Sequence, residues 1–481
     1  MQTRPLAPAR RARLVLLASL LLVTLAAGTA ARFGRPGGPG AAATGASGPV
    51  SGTAGALSVR AALDRSSVLR GGDGLVRVEL VLEGRGPIGG LDATTLPTDF
   101  VVVLDRSGSM QGEPLLFAKA AVRELYTGLR PQDRFALVGY ASDAALEIPL
   151  AHAGPDARPQ VERVLGDLVA SGGTHMSAGL DLAHEVVASA RAAGRVQRVL
   201  LLSDGHANQG DFSTEGLRAR AARAVPSEYV LSAVGVGVAF DETLMSAVAD
   251  AGTGNFYYLP DARELAGIFA GEFAAARETV ARGLQVSLAP GDGIELVDAA
   301  GYPLERDGAR VSFRPGDLHA GQERRIWLTL RAPTERERAL DLGDLALRWQ
   351  EPDGVRGELP ALALPALACV AGEDAYYASF DASTYERSST EALGHLKEKV
   401  AASLREGNVE EALIRVDGYE REMRREQSRA LGHVVEQDAS ALQALRSEAS
   451  SPAASTPEMQ KQLGKKLLEE GRDARRAGAK Y

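Results

Sequence analysis

Cysteine is almost absent: the 481-residue chain holds one, Cys369. An intrachain disulfide is therefore excluded, and stability must come from packing. Cys369 lies in the apolar run 364–370, which predicts a buried, inert thiol rather than a bridge to a second chain. Asparagine is scarce and no Asn-x-Ser/Thr sequon occurs, so nothing supports N-glycosylation. Arginine far outnumbers lysine, a bias that fits a GC-rich bacterial genome. Excess positive charge is missing too. The 54 Lys and Arg residues stand against 62 Asp and Glu, a net charge of −8. General nucleic-acid binding needs a basic surface to neutralise phosphates, so that class is set aside. What remains is ordinary soluble-protein composition, 45% hydrophobic and 24% charged. The length exceeds what one core supports, and roughly two to four structural units are expected.

The N-terminus has its own character. Arg4, Arg10, Arg11 and Arg13 precede an apolar run over residues 14–27, followed by Gly28-Thr29-Ala30. A positive flank, an apolar stretch and small residues describe an export signal. The stretch through Ala31 is also long enough to stay as a membrane anchor. Residues 1–31 are thus a cleaved signal or a retained inner-membrane tether. Either places the bulk of the chain in the periplasm, cell envelope or extracellular space. No cysteine follows the run, which excludes a lipoprotein anchor, and the surroundings of Arg10-Arg11 are loose for a twin-arginine signal.

Residues 32–56 are rich in Gly, Ala, Pro and Ser and read as a flexible linker, unable to bury enough surface to offset ordering. Over residues 57–96 apolar positions alternate: Leu57, Val59 and Ala61, then Val76, Val78, Leu80 and Leu82, broken by Arg70-Gly71-Gly72-Asp73-Gly74. That is two strands and a turn, which need partner strands from elsewhere. Between 97 and 278 short apolar runs (100–104, 135–140, 199–202, 229–236, 255–259) alternate with helix-like stretches (113–129, 176–193, 241–251). This implies a mostly parallel sheet with helices on both faces, whose ligands lie beyond the carboxyl ends of its strands. Strand periodicity returns over 279–372, in runs such as 284–288, 311–313, 326–330 and 345–349, and predicts a β-sandwich completed by the strands before residue 96. The α/β segment is then an insertion. Residues 383–481 are helical: Val409, Leu413, Val416, Tyr419 and Met423 recur at helical spacing, and a last helix spans 458–477 after a break at 450–457.

One constellation carries chemistry. The first α/β strand ends in Asp105-Arg106-Ser107-Gly108-Ser109, three oxygen-bearing side chains at spacing two. A curved loop can aim them at one point, as a hard divalent cation requires. Ser171-Gly172-Gly173-Thr174 opens a helix and offers the Thr174 hydroxyl; the strand 199–202 ends in Ser203-Asp204-Gly205 and offers a carboxylate. Each segment alone is compatible with a plain turn. Together, in order and at strand ends, Asp105, Ser107, Ser109, Thr174 and Asp204 resemble the metal-ion-dependent adhesion site of the von Willebrand factor A family, over roughly 97–271. The resemblance implies a Rossmann-like domain holding Mg2+ or Mn2+, with Ca2+ also admissible. It further implies that a partner protein supplies a carboxylate as the last ligand. The strands flanking the insertion more loosely resemble the organisation of inter-alpha-trypsin-inhibitor heavy chains and of bacterial surface proteins.

Other features weigh less. Gly235-Val236-Gly237 lacks the full dinucleotide fingerprint. Ser142-Asp143 either stiffens the metal loops or simply turns the chain. His175 and His206 are rim residues beside the loops. Ser203, Asp204 and His206 lie too close on one turn to form a catalytic triad, and no Gly-x-Ser-x-Gly elbow accompanies them, so no constellation supports an enzyme. The helical stripe fits intramolecular packing or a partner seam, including self-association. The expectation is an exported, cation-dependent adhesion module. The alternative is an assembly subunit of a bacterial envelope complex that uses the same domain as a scaffold.

Overall fold

The computed structural model describes residues 48–86, 96–192, 194–204, 206–236, 240–259, 261–351, 354–451 and 456–476. The expected export segment 1–31 and the linker through residue 47 lie outside them. The chain starts with β1 (Val50–Ala54), β2 (Leu57–Leu63), β3 (Ser67–Leu69) and β4 (Leu75–Gly84). An α/β segment follows: β5 (Thr98–Asp105), α1 (Glu113–Gly128), β6 (Arg134–Tyr140), β7 (Ala144–His152), α2 (Arg158–Asp167), α3 (Met176–Ser189), β8 (Val196–Ser203), α4 (Thr214–Ala222), β9 (Tyr229–Val236), α5 (Glu242–Ala251), β10 (Thr253–Leu259) and α6 (Leu265–Arg277). Strands return as β11 (Thr279–Ala289), β12 (Glu295–Ala299), β13 (Glu305–Asp307), β14 (Arg310–His319), β15 (Glu323–Arg331), β16 (Arg338–Leu340), β17 (Asp344–Gln350), β18 (Arg356–Ala363) and β19 (Leu367–Val370). Five helices close the chain: α7 (Glu373–Tyr377), α8 (Ala382–Arg405), α9 (Val409–Ala430), α10 (Glu436–Ser450) and α11 (Pro457–Arg475).

Two antiparallel five-stranded sheets, β1-β2-β4-β15-β12 and β13-β14-β11-β17-β18, share one core. The alternating residues Leu57, Val59, Ala61, Val76, Val78, Leu80 and Leu82 face Leu284, Val286, Leu288, Phe313, Leu345 and Leu347 across it. The α/β segment is inserted between β4 and β11. Residues 50–54 correct the linker expectation: they form β1, paired with β2 from Val50↔Ala61 to Ala54↔Leu57. Main-chain hydrogen bonds hold this edge strand, and only Val50 and Ala54 pack on the core, too faint a pattern to stand out in a Gly/Ala-rich stretch. A small third sheet, β16-β19-β3, carries Cys369, which is buried as its apolar setting suggested; burial also pushes its thiol pKa up.

The inserted sheet has the order β10-β9-β8-β5-β6-β7, parallel except for β7 against β6. β5 is buried over all eight residues; Phe100, Val102 and Leu104 feed one core while Val101 and Val103 feed the other. Helices α1, α2 and α6 cover the first face, and α3, α4 and α5 the second. β7 was not expected from the sequence. It is an edge strand with only Ile148 buried, so no continuous apolar run marks it.

The helical region packs on itself through Leu396, Val400, Leu404, Val416, Met423, Leu442, Leu445 and Leu467. α8 and α11 lie backbone to backbone, where a side chain at Gly394 would come within 2.7 Å of the Gly471 carbonyl. Buried ion pairs join this region to both other parts. The fully buried Glu79 of β4 accepts two hydrogen bonds from Arg387 (2.6 and 2.7 Å) and pairs with Arg325 (2.8 Å). Arg475 reaches Asp298 (2.5 Å), Glu391 (3.1 Å) and Glu398 (2.8 Å). On α5, Asp250 accepts from Arg472 (2.5 Å) and Arg476 (2.6 Å). Lys465, buried on α11, donates to the Phe240 carbonyl and pairs with Glu242 (3.2 Å). Removing one partner of a buried pair strands the other charge. Asp250→Ala should therefore lower the unfolding free energy by about 3–5 kcal/mol in a urea titration; a loss below about 1 kcal/mol would mean that the clamp contributes little.

Candidate metal centre

The inserted sheet grows outward in both directions from the β5–β8 pair. After β5 the chain turns to α1 on one face, and after β8 to α4 on the other. A crevice opens at such a reversal, beyond the carboxyl ends of the strands. Asp105 ends β5, and Asp204 follows Ser203 at the end of β8, with β5 and β8 paired in register through Leu104↔Leu202. Two carboxylates are thereby forced into one buried place.

Short-range contacts then assemble the loops. Asp105 is buried; its Oδ1 accepts from the Ser107 amide (2.8 Å), and its Oδ2 accepts from the Ser203 hydroxyl (2.7 Å) and the Tyr140 hydroxyl (3.4 Å). The Ser107 and Ser109 hydroxyls lie 3.0 Å apart, and Ser109 donates to Asp204 Oδ1 at 2.8 Å. Four of the five expected residues are thus linked directly. Thr174, also buried, is brought up by main-chain bonds. The Gly108 amide donates to the Gly172 carbonyl (3.1 Å), and the Ser171 amide to the Arg106 carbonyl (2.8 Å). The Thr174 amide donates to Asn208 Oδ1 (2.9 Å), while its carbonyl accepts from the Asn208 amide (3.0 Å).

Several supporting residues were not picked out in the sequence. Tyr140 and Asn208 hold the donors from behind, as does Ser203, which the sequence offered only as a member of a rejected triad; an isolated Tyr on a strand gives no motif to find it by. Ser142 does stiffen the loop: its hydroxyl accepts from the Gly173 amide at 3.0 Å. Gly172, at φ +79°, passes so close that a Cβ there would lie 2.7 Å from that hydroxyl. Asp143 instead forms an exposed pair with Arg106 (3.2 Å). His175 is half-buried with Nδ1 3.2 Å from the Ser142 carbonyl, and His206 is exposed. Gly235, next to the end of β9, lies under the Phe240 ring, a packing role.

The electrostatics suit a cation. Burial raises the pKa of Asp105 and, with Asp105 as a charged neighbour, lifts that of Asp204 to about 6. The groups bonded to both carboxylates are hydroxyls and a backbone amide, and none of these carries positive charge. Among the described residues no three His, Cys, Asp or Glu side chains cluster, so hydroxyls would have to complete any ligand set in this crevice. Two carboxylates and two hydroxyls joined by hydrogen bonds, with Thr174 brought alongside by its main chain, are oxygen-rich surroundings that would suit a hard divalent ion.

The family model described as the von Willebrand factor type A domain matches residues 99–271. This segment is a von Willebrand factor type A domain. The uncharacterized protein YfbK of Escherichia coli (strain K12) is 28% identical over 289 residues, covering 54% of this chain and 49% of that protein. Inter-alpha-trypsin inhibitor heavy chain H4 of Homo sapiens is 27% identical over 150 residues, 30% of this chain and 16% of that one. The chain thus spans half or less of the length of these two relatives. A solved von Willebrand factor type A structure from Catenulispora acidiphila superposes with a TM-score of 0.60 over 84% of this chain and 90% of that one. At 16% identity this speaks to fold alone.

The A domain's unbalanced charge has a measurable consequence. In metal-free protein the folded state holds a proton on Asp204 up to about pH 6, whereas the unfolded chain releases it near 3.8. The folded state therefore binds more protons across that window, and this group's contribution to stability falls as pH rises through it. Asp204→Asn should stabilise the metal-free A domain at pH 7.5 by up to about 3 kcal/mol, with the gain fading towards pH 4. Urea denaturation with chelator at several pH values would measure it. Equal effects at both ends of the range would place the cost elsewhere.

Proposed function

We propose that this is an exported protein-binding module whose A domain holds a divalent cation, Mg2+ or Mn2+, and through it captures a carboxylate of a partner protein. One observation carries the reading: the buried side chains Asp105, Ser107, Thr174 and Asp204 and the exposed Ser109 meet at the crevice of the sheet, and among the described residues no basic side chain bonds to either carboxylate. Ser107 and Ser109 would bind the ion directly, while Thr174 and the two aspartates would act directly or through water. The bound ion would supply an electrophilic docking point, kept under-neutralised by its neutral hydroxyl donors, for an anionic group from outside. The chain's own residues do the positioning. Ser203 and Tyr140 orient Asp105, and Asn208 locks the Thr174 loop to the Asp204 loop.

Export belongs to the same proposal and rests on the arginine-flanked apolar run before residue 31. A signal or an anchor there would place the A domain where an adhesion partner is met. Among the described residues no helix is long and apolar enough to cross a membrane.

Calorimetric titration of Mg2+ and Mn2+ into the full chain tests the reading. Saturable binding is expected in the wild type and none in Asp105→Ala. Ser203→Ala, which removes only an orienting bond, should weaken binding by about 10-fold or more. A pull-down with and without chelator then separates the two functions. A partner lost on chelation supports capture through the metal. A partner retained by chelated protein would assign the domain a scaffold role in an envelope assembly.

A further inference from the structure

We propose that the partner presents its carboxylate between large apolar side chains, as a short hydrophobic–acidic–hydrophobic segment. This rests on the cation reading of Asp105, Ser107, Ser109, Thr174 and Asp204 and adds what surrounds the carboxylate. Three of the most exposed large hydrophobic side chains in the described structure are Leu116 (62%), Val169 (65%) and Phe212 (57%). Each lies on one of the three segments that carry the metal donors. Leu116 is in the first turn of α1, directly after the Asp105–Ser109 loop. Val169 precedes Ser171 in the segment that ends at Thr174. Phe212 lies between Asp204 and α4.

The topology puts all three on one end of the A domain, since α1 and α4 start where β5 and β8 stop, and α2 returns to that end before Ser171. Local contacts arrange them on two banks of the crevice. Lys119, one turn along α1 from Leu116 on the same side, donates to the Leu168 carbonyl at 2.6 Å, so Leu116 and Val169 share a bank. Across the crevice, Asn208 ties the Phe212 segment to Thr174, and Gly210 lies against His175, where a Cβ would come within 1.9 Å of the ring. The only other exposed large hydrophobic residue of the A domain among those described is Leu146 (38%), two residues from the start of β7 at this same end.

Charge narrows the partner further. Asp143 and Asp211 are paired with Arg106 and Arg220, and Glu113 and Asp167, exposed on the Leu116–Val169 bank, have Arg263 and Lys119 as charged neighbours. With the charges of the rim matched in this way, further acidic residues on a partner would gain nothing there. One carboxylate with apolar neighbours meets the cation at the centre and the hydrophobic rim around it.

Three fluorescent heptapeptides in a Gly/Ser background test this by anisotropy with the full chain in Mg2+ and in chelator. Their central triplets are Leu-Asp-Phe, Ser-Asp-Ser and Leu-Asn-Phe. The first should bind at least 10-fold tighter than the second, and only in Mg2+; the third should not bind. The double variant Val169→Ser, Phe212→Ser should bring the first peptide down to the level of the second with calorimetric Mg2+ affinity unchanged. Both positions are on the surface, so circular dichroism should match wild type. Equal binding of the first two peptides, or a preference that survives in the double variant, overturns the proposal. Mg2+ binding without binding of any peptide also overturns it and leaves the cation site standing. A chain that binds no Mg2+ overturns the cation reading and this inference with it.

Discussion

Two like charges buried side by side are the constraint on which the site depends. Asp105 and Asp204 meet because the chain leaves the sheet in opposite directions after β5 and β8, and among the described residues no basic side chain bonds to either. Their repulsion and burial make the metal-free arrangement costly, and the hydroxyls and one backbone amide bonded to them offset only part of that. The surrounding design follows from keeping them there. Ser203 and Tyr140 fix one carboxylate, Ser109 bridges to the other, and the Ser142 and Asn208 contacts hold the third loop in place without adding charge.

The same economy of charge is inverted elsewhere in the molecule. Where the helical region meets the sandwich and the A domain, buried carboxylates are matched by arginines: Glu79 by Arg387 and Arg325, Asp250 by Arg472 and Arg476. At the opposite end of the A-domain sheet, Arg198 pairs with Asp317 of β14 at 2.9 Å. These pairs fasten the A domain at its base and along α5, and they leave the crevice end open. Carboxylates matched by arginine mark attachment, and the two bonded only to neutral groups lie where the proposed ion would sit.

Much of this was legible in the sequence because it depends on local patterns. The Asp105–Ser109 triplet, the Thr174 loop and the Asp204 turn each follow a recognisable run, and continuous apolar strands alternating with helices announce a parallel sheet. The insertion into a sandwich could be read from periodicity changing twice along the chain. What was not legible depends on tertiary context. β1 and β7 are edge strands held by backbone bonds with few buried side chains, so residues 50–54 passed for linker and residues 144–152 for nothing in particular. Tyr140 and Ser203 became visible only once β6 and β8 were placed on either side of β5. The stripe on α9 read correctly as apolar, but the attachment of α11 to both other parts relies on charged residues that in sequence look like an ordinary solvated face.

The proposed site brings three loops together on one divalent ion. Its most direct test is a crystal structure of the full chain grown in Mn2+ and measured at the manganese absorption edge. One strong anomalous peak is expected in the crevice, within bonding distance of the Ser107 and Ser109 hydroxyl oxygens, with Thr174 and the carboxylates of Asp105 and Asp204 around it. A well-ordered crevice with no peak, or manganese held only at other residues, would contradict it.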